Sequence, residues 1–295
     1  MRTFSFVTVD VFTDRRFGGN PLAVFPDAQG LSDGEMQSLA AEFNLSETTF
    51  VLPTADPANT ARVRIFNRRH EMPFAGHPNV GTGWVLAGLG RAPGGALRFE
   101  EIAGLVEVSV ADGVVTIAAP QPLSLGPEMP VDLLVSCVGL APGDVLTAAH
   151  QPVCASVGNS FVVAEVTGEA LTRALPDVAR FREAALVYTA MGANRLPLYL
   201  YSHDLKAQGG ARIRTRMFSP LSGTIEDPAT GSAATPLAAL LLSLGSKSEE
   251  TYEIVQGAEM GRPSQLLCAA RRAPDGIRAT VGGRCVPVLK GEISL

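Results

Sequence analysis

Two segments of the chain are apolar on every side, and the runs around them are rich in β-forming residues. One segment, MPFAGHPNVGTGWVLAGLG, spans Met72 to Gly90, and the other, DPATGSAATPLAALLLSLG, spans Asp227 to Gly245. A helix without a polar face has to be buried all round. The start of the chain, MRTFSFVTVDVF, alternates as a strand does. We therefore expect a curled sheet wrapped around each apolar helix.

The same order of sequence signals occurs twice along the chain. A Gly-Asn turn feeds a β-rich run, an Arg-X-Arg strand and a loop follow, then the apolar segment, and then two strands joined by an Asp-Gly turn. The offset between the copies grows from roughly 140 to roughly 160 residues, which is too long for a solenoid. The matched pairs are GGNPLAVF with VGNSFVVAEV, RVRIFN with RTRMFS, and EIAGLVEVSVADGVVTI with AEMGRPSQLLCAARRAPDGIRATV. The pattern predicts two homologous α/β domains.

The domain boundary is expected in AAPQPLSLGPEMP, residues 118–130, which is rich in proline and glycine. This places one domain at residues 1–122 and the other at residues 123–284, with the active site in the cleft between them. The final VPVLKGEISL has the composition of one more strand. Residues 285–295 are expected to return to the first domain.

Composition limits the classes of partner. The chain has 295 residues, a net charge of −5, 46% hydrophobic residues and 18% charged residues. This balance gives no electrostatic reason to expect nucleic acid or an anionic membrane surface. The longest apolar run, residues 236–242, is far shorter than the ~20 residues of a membrane span, and the first residues lack the apolar block of a signal peptide. We expect a cytoplasmic protein.

The cysteines show no metal-binding or disulfide pattern. Cys137, Cys154, Cys268 and Cys285 are scattered, without CxxC spacing or neighbouring histidines. We expect free thiols and no metal site.

The N-terminus of each apolar helix is a candidate anion site. The first N–H groups of a helix have no acceptor within it, and the helix dipole favours an anion such as a carboxylate. The alternative is that both segments are packed helices with small residues at their caps. The N–H groups would come from Gly76, His77 and the residues after Pro78 in one half, and from Thr230, Gly231, Ser232 and Ala233 in the other.

A third feature lies upstream of the first apolar segment. SDGEMQSLAAEFN begins with a capping box of Ser32 and Glu35, and Asn44 is suited to end that helix in a left-handed conformation. The following β run, SETTFVL, carries Glu47. An acid at the start of a strand is usually exposed and inert. If it points into a cleft instead, desolvation would raise its pKa towards that of a useful acid–base group.

These residues together resemble one family. FGGNPLAVF, NLSETTFV, MPFAGHPNVGTG and EDPATGSAA are similar, in order and over nearly the whole chain, to motifs of the PhzF family of phenazine-biosynthesis-like isomerases. The resemblance implies the diaminopimelate-epimerase-like fold, of class α/β (α+β), with two pseudo-symmetric domains. Each domain would hold a central apolar helix inside a curled, mostly antiparallel sheet.

The resemblance also implies roles for particular residues. Glu47 matches a glutamate that shuttles a proton, and His77 and Asp227 match polar groups that contact the substrate and assist the transfer. The name-giving reaction isomerises trans-2,3-dihydro-3-hydroxyanthranilate without metal or organic cofactor. The positions that match the pocket lining and the carboxylate contacts are Asn20, Gly76, Gly231 and Ser232, and the N–H of Thr230 adjoins them.

At three positions the sequence differs from related proteins, and these differences bear on the type of enzyme and on its pocket. Related epimerases use two cysteines as acid and base, and these thiols would fall near Ala75 and Ala229, so a two-thiol epimerase does not fit. Asn79 stands where Thr or Ser is common after GHP. Arg68 and Arg69 are either surface charges or a second anion contact.

We therefore expect a cofactor-independent isomerase that acts on a small, cyclic carboxylic acid, with Glu47 as acid and base. Two alternatives stay open. One is a non-thiol epimerase or racemase. The other is a non-catalytic protein on the same fold that binds a metabolite or another protein. A homodimer is common in such folds, but the sequence carries no interface signature.

Overall fold

The computed structural model describes residues 1–192, 194–203 and 212–295. Its helices are α1 (Asp33–Phe43), α2 (Gly76–Gly88), α3 (Val131–Val138), α4 (Gly168–Arg173), α5 (Val178–Val187) and α6 (Gly231–Leu244). Its strands are β1 (Thr3–Val11), β2 (Asn20–Phe25), β3 (Glu47–Leu52), β4 (Ala61–Phe66), β5 (Glu71–Met72), β6 (Ala96–Glu101), β7 (Gly104–Ala111), β8 (Val114–Ala118), β9 (Ser124–Glu128), β10 (Val153–Ser156), β11 (Ser160–Glu165), β12 (Leu198–His203), β13 (Arg212–Ser219), β14 (Thr224–Asp227), β15 (Glu249–Gln256), β16 (Ser264–Ala273), β17 (Gly276–Gly283) and β18 (Cys285–Ser294).

The chain forms two compact units. The first unit comprises Met1–Ala118 together with Gly282–Leu295, and the second comprises Ala119–Val281. The sequence placed these divisions after residues 122 and 284.

The sheet of the first unit runs in the order β18-β1-β2-β3-β4-β6-β7-β8. The β2–β3 and β4–β6 pairs are parallel and the others are antiparallel, and the short β5 pairs with β4. Helix α2 packs against β1, β2, β3, β7 and β8. A Cβ atom at Gly81 would lie 2.6 Å from the Leu22 side chain and 2.8 Å from that of Val11. Glycine at this position therefore lets the helix lie close to the sheet.

The second unit repeats this arrangement. Its strands run in the order β9-β10-β11-β12-β13-β15-β16, with β11–β12 and β13–β15 parallel and β14 paired to β13. Helix α6 packs against β10, β11, β15 and β16. Most residues of α2 and of α6 are buried. The prediction of an apolar helix against a curled sheet is thus confirmed for each unit.

An ion pair repeats in the two units, with its arginine at the position that the sequence repeat aligned. In the first unit, Arg64 of β4 forms two hydrogen bonds with Glu71 of β5, at 2.7 and 2.5 Å, and lies over the ring of Phe66. In the second, Arg216 of β13 forms two with Glu226 of β14, both at 2.8 Å, and lies over Phe218. The repeat extends from the strand order to side-chain contacts.

Helix α1 supports the strand that begins at Glu47. The predicted capping box is present, since Ser32 and Glu35 bond to each other's backbone N–H groups. Asn44 ends the helix in the left-handed conformation. The buried face of α1 packs into an apolar cluster that includes Phe25 of β2 and Phe50 of β3, whose rings are stacked. This cluster fixes β2 and β3 against the helix.

The four cysteines are buried free thiols, as expected. Within the described ranges, no helix has the length and apolar character to cross a membrane.

Candidate active site

Glu47 and His77 lie together in the first unit. Glu47 is the first residue of β3, and His77 is the second residue of α2. Oε2 of Glu47 lies 3.5 Å from Nε2 of His77. A buried bond between the hydroxyls of Thr49 and Thr82, at 2.8 Å, ties the same strand to the same helix. The contact is therefore built on two regular elements rather than on a loop.

Both members of this pair are shielded from solvent. Only 16% of the Glu47 side chain and 6% of the His77 side chain are exposed. The expectation that an acid at the start of this strand would be exposed is therefore wrong for Glu47. Burial lowers the pKa of His77 to about 3, so its imidazole is neutral near pH 7. A neutral imidazole carries one N–H, and the surroundings decide which nitrogen holds it.

The contacts of Asn20 favour one tautomer of His77. Oδ1 of Asn20 accepts a hydrogen bond from the Ser46 hydroxyl at 3.2 Å, which turns the amide nitrogen toward the histidine. Nδ2 of Asn20 lies 3.5 Å from Nδ1 of His77. Because an amide nitrogen only donates, Nδ1 accepts and Nε2 carries the proton. His77 thus presents Nε2–H to the carboxylate of Glu47.

The N-terminus of α2 begins at Gly76. Ala75 precedes the helix as its N-cap and supplies no side-chain hydrogen bond, and the first turn contains no acidic residue. Pro78 has no N–H group, so the early donors of the helix are Gly76 and His77. This terminus combines a positive dipole end with backbone donors, as an anion site requires.

Asp227 belongs to a hydrogen-bonded cluster in the second unit. It is the last residue of β14 and is buried. Its Oδ2 accepts a hydrogen bond of 2.5 Å from the hydroxyl of Thr230. Gln256 at the end of β15 donates from Nε2 to the Asp227 carbonyl at 2.7 Å and to the Thr230 hydroxyl at 3.0 Å. This cluster fixes the segment that leads into α6.

The expected set of donors at the start of α6 needs correction. The N–H of Thr230 is donated to Oε1 of Gln256 at 3.2 Å, and the N–H of Ala233 is donated to the Thr230 carbonyl at 3.0 Å. Neither group is directed to a ligand, because each has an internal acceptor. Gly231 and Ser232, the first two residues of α6, remain the candidate anion donors at this terminus.

Sequence reasoning missed Gln256. It is fully buried and also accepts a hydrogen bond of 3.2 Å from the hydroxyl of Tyr199. The next residue, Gly257, has φ +75°, and a Cβ there would lie 2.5 Å from the Pro228 carbonyl oxygen. The only signal in the sequence was a Gln-Gly pair at the end of an alternating strand.

The positions of the epimerase thiols hold no nucleophile. Ala75 is the N-cap of α2, and Ala229 is buried two residues before α6. The four cysteines lie elsewhere, in α3, β10, β16 and β18. No three His, Cys, Asp or Glu side chains in the described parts of the chain are grouped to hold a metal ion. The groups available for chemistry near the starts of α2 and α6 are therefore a carboxylate, a neutral imidazole and backbone N–H groups.

Comparison with known proteins gives matches along the whole chain. The family model of the phenazine biosynthesis-like proteins, PhzC-PhzF, matches residues 9–291. An uncharacterized isomerase, mll1393 of Mesorhizobium japonicum, is 36% identical, and the match covers 99% of each chain. The trans-2,3-dihydro-3-hydroxyanthranilate isomerase of Pseudomonas chlororaphis is 35% identical over 98% of this chain and 99% of its own.

A solved structure shows the same fold. The phenazine biosynthesis protein of the PhzF family from Bacillus anthracis superimposes with a TM-score of 0.88, at 24% identity and full coverage of both chains. The fold is the diaminopimelate-epimerase-like fold that the sequence motifs implied.

Proposed function

Since the chain belongs to the phenazine biosynthesis-like PhzC-PhzF family, in which the relatives above are named isomerases, we propose that it moves a proton between two carbons of a small cyclic carboxylic acid. The substrate class is that of trans-2,3-dihydro-3-hydroxyanthranilate, on which the Pseudomonas chlororaphis relative acts by name. Glu47 serves as both base and acid. No organic cofactor or metal is required by this scheme.

The observation that carries the proposal is the shielded contact between Glu47 and the neutral His77, 3.5 Å apart. A neutral N–H donor orients a carboxylate without neutralising its charge, and a cation in the same place would stabilise the ionised form much more. The carboxylate therefore keeps its capacity to accept a proton. Its burial also limits exchange of that proton with bulk water.

The reaction needs one group that removes a proton from the substrate and later returns it. Glu47 removes a proton from an sp³ carbon of the substrate, and the C–H electron pair moves into the adjacent unsaturated system. The carboxylic acid so formed then delivers the proton to a different carbon, and the double bond shifts. Atoms and electrons balance, and Glu47 ends as a carboxylate.

The carboxylate of the substrate needs its own site. We assign it to backbone N–H groups in the first turn of an apolar helix, either Gly76 and His77 of α2 or Gly231 and Ser232 of α6. Asp227 is assigned a contact with a polar group of the substrate. The hydroxyl of Thr230 donates to one oxygen of the Asp227 carboxylate and so holds it in place. Asn20 acts through the imidazole of His77.

The second candidate is a non-thiol epimerase or racemase. Such an enzyme removes a proton from a stereocentre and replaces it with inversion. A binding protein without activity on the same fold is the third. These functions differ in what happens to a substrate C–H bond.

The test is to incubate the protein with trans-2,3-dihydro-3-hydroxyanthranilate and with related cyclic amino and hydroxy acids in D₂O, and to follow them by proton NMR. The proposal predicts a product with a shifted double bond and the transferred hydrogen at a new carbon. Deuterium at an inverted stereocentre without a double-bond shift would establish the epimerase instead. Saturable binding with no C–H exchange in any compound would establish a binding protein.

A further inference from the structure

The helix that carries His77 is tied to the strand that carries Glu47 by a second polar contact. The hydroxyls of Thr49 on β3 and Thr82 on α2 lie 2.8 Å apart, and both side chains are fully buried. Thr49 lies two residues after Glu47, so the two side chains are on the same face of the strand. The hydroxyl pair and the Glu47–His77 contact therefore join the same two elements at two points.

The spacing of the two contacts is similar along each element. Glu47 and Thr49 are two residues apart, which corresponds to about 6.7 Å along a strand. His77 and Thr82 are five residues apart, which corresponds to about 7.5 Å along a helix. Two separate contacts restrict both the slide and the rotation of a helix on a strand, whereas a single contact leaves a pivot.

The residues beside Thr82 on the helix are glycines. A Cβ atom at Gly81 would lie 2.6 Å from the Leu22 side chain, and one at Gly83 would lie 2.8 Å from that of Val108. The helix backbone therefore rests directly on apolar side chains of the sheet. Such apolar contacts are non-directional, whereas a hydrogen bond has a preferred length and angle. The hydroxyl pair thus supplies a directional contact at this level of the helix.

The corresponding position of the second unit carries an apolar residue. Counted from the first residue of each helix, Thr82 of α2 corresponds to Leu237 of α6, and His77 corresponds to Ser232. Leu237 is fully buried. An apolar side chain thus meets the packing requirement at this position, since hydrophobic burial needs no hydroxyl. The threonine at this position occurs in the unit that holds the Glu47–His77 contact.

We propose that Thr49 and Thr82 are positioning residues of the Glu47–His77 site, and that their hydrogen bond sets the separation between the Glu47 carboxylate and Nε2 of His77. The inference rests on the proposed function, in which Glu47 has to accept and return a proton from one fixed place. Displacement of a reacting group by about 1 Å lowers a rate by up to about a hundredfold. A helix free to shift by that amount would keep its fold and lose turnover.

Valine variants separate positioning from stability. Thr82→Val keeps the side-chain shape and leaves the Thr49 hydroxyl buried without this partner, so it should unfold at a lower urea concentration than the wild type. The double variant, Thr49→Val with Thr82→Val, removes both hydroxyls and leaves neither of them unsatisfied. Its stability should therefore return towards that of the wild type. Its turnover should stay low, because the directional contact is still missing.

Two further variants serve as controls. Thr82→Ser keeps the hydroxyl and should keep wild-type turnover. Thr48→Val changes the adjacent threonine of β3, which is equally buried and lies on the opposite face of the strand. In the parts of the chain that the structure describes, the Thr48 hydroxyl has no hydrogen-bond partner. Its removal should lower neither stability nor turnover.

The first experiment needs no substrate. Nitrogen NMR of labelled His77 measures the chemical shift of Nε2, which responds to the strength of the hydrogen bond that this nitrogen donates. We expect the Nε2 resonance to shift in Thr82→Val and in the double variant, and to keep its wild-type position in Thr82→Ser and Thr48→Val. An unshifted resonance in the double variant would overturn the inference, whatever the enzyme turns over.

The second experiment measures the single-turnover rate and Kd of the same proteins with the substrate that the wild type converts. We expect the rate of the double variant to fall on the order of tenfold to a hundredfold, with Kd nearly unchanged. A rate that recovers together with stability in the double variant would overturn the inference, since the hydroxyl pair would then act through stability alone. If the wild type converts no substrate while the His77 resonance shifts as expected, the proposed function fails and the effect of the hydroxyl pair on the Glu47–His77 contact is established.

Discussion

The amide nitrogen of Asn20 lies 3.5 Å from Nδ1 of His77, on the side of the imidazole away from Glu47. Since the Ser46 hydroxyl donates to the oxygen of the same amide, this contact favours the tautomer of His77 with its proton on Nε2. One side chain outside the contact thus decides whether Glu47 faces a donor or a lone pair.

This relationship predicts the behaviour of Asn20→Asp, which keeps the shape and replaces the donor by acceptors. The carboxylate would hold a proton on Nδ1, so that Nε2 would present its lone pair to the Glu47 carboxylate. We expect turnover to fall by a factor on the order of 10² to 10⁴, because a catalytic histidine in the wrong tautomer lowers the rate by such factors. Nitrogen NMR of labelled His77 should show the tautomer change directly. An unchanged tautomer would contradict the assignment.

Gly231 is predicted to keep the approach to the α6 N-terminus open. Replacement by valine places a branched side chain at the first residue of the helix, so we expect the Kd for a carboxylic substrate to rise by roughly tenfold, about 1.4 kcal/mol. Titration calorimetry is the measurement. Gly34→Val is the matched control, since a Cβ at this α1 glycine meets nothing within 4 Å. Equal affinity in both variants would remove the anion site from α6.

Gln256 is predicted to stabilise the cluster around Asp227. Leucine in its place leaves the Thr230 N–H and the Asp227 carbonyl without their buried partner. We expect a loss of about 2–4 kcal/mol in the free energy of unfolding, from more than one unsatisfied group. Urea denaturation measures it. The control Gln265→Leu changes an exposed residue of β16 and should cost less than about 0.5 kcal/mol. Similar losses in both would show that the cluster contributes little.

The lowered pKa of His77 predicts that the free energy of unfolding depends on pH. The folded-state pKa of about 3 lies below the ordinary value of 6.5, so between these values the unfolded chain binds the extra proton. The free energy of unfolding should therefore fall as pH decreases below 6.5, by up to about 1.4 kcal/mol per unit from this group. Above pH 6.5 the group contributes no pH dependence.

The measurement is the difference in unfolding free energy between wild type and His77→Gln from pH 7 to pH 5. Other titrating groups cancel in this difference. We expect the wild type to lose stability relative to the variant on acidification, and the exposed-residue control His70→Gln to follow the wild type. Parallel curves for the wild type and His77→Gln would mean that His77 takes up its proton in the folded state as readily as in the unfolded one.

The helices and much of the first unit's site follow from local sequence patterns. The Ser32–Glu35 capping box and Asn44 predict where α1 begins and ends. Helices α2 and α6 are recognisable in the sequence because they have no polar face. The motif resemblance pointed to Asn20, Glu47 and His77, and the structure brings these three side chains together.

The groups that sequence reasoning missed depend on contacts between distant residues. Gln256 looks like an outward polar residue of a strand, and its partner Thr230 is 26 residues away. For the same reason Thr230 was expected to offer its N–H to a ligand, although Gln256 accepts it.

The central claim is that Glu47 carries the proton, and Glu47→Gln tests it most directly. Glutamine keeps the shape and can still hydrogen bond, but it does not accept and return a proton. The control is Glu42→Gln, an exposed acid on α1. Single-turnover rates and Kd should be compared in all three proteins with the substrate that the wild type converts.

We expect Glu47→Gln to fold with wild-type stability, to bind the substrate with nearly unchanged Kd and to lose turnover by a factor on the order of 10² to 10⁴. Glu42→Gln should match the wild type in all three respects. Unchanged turnover in Glu47→Gln, with substrate bound, would contradict the account and make Asp227 the next base to test.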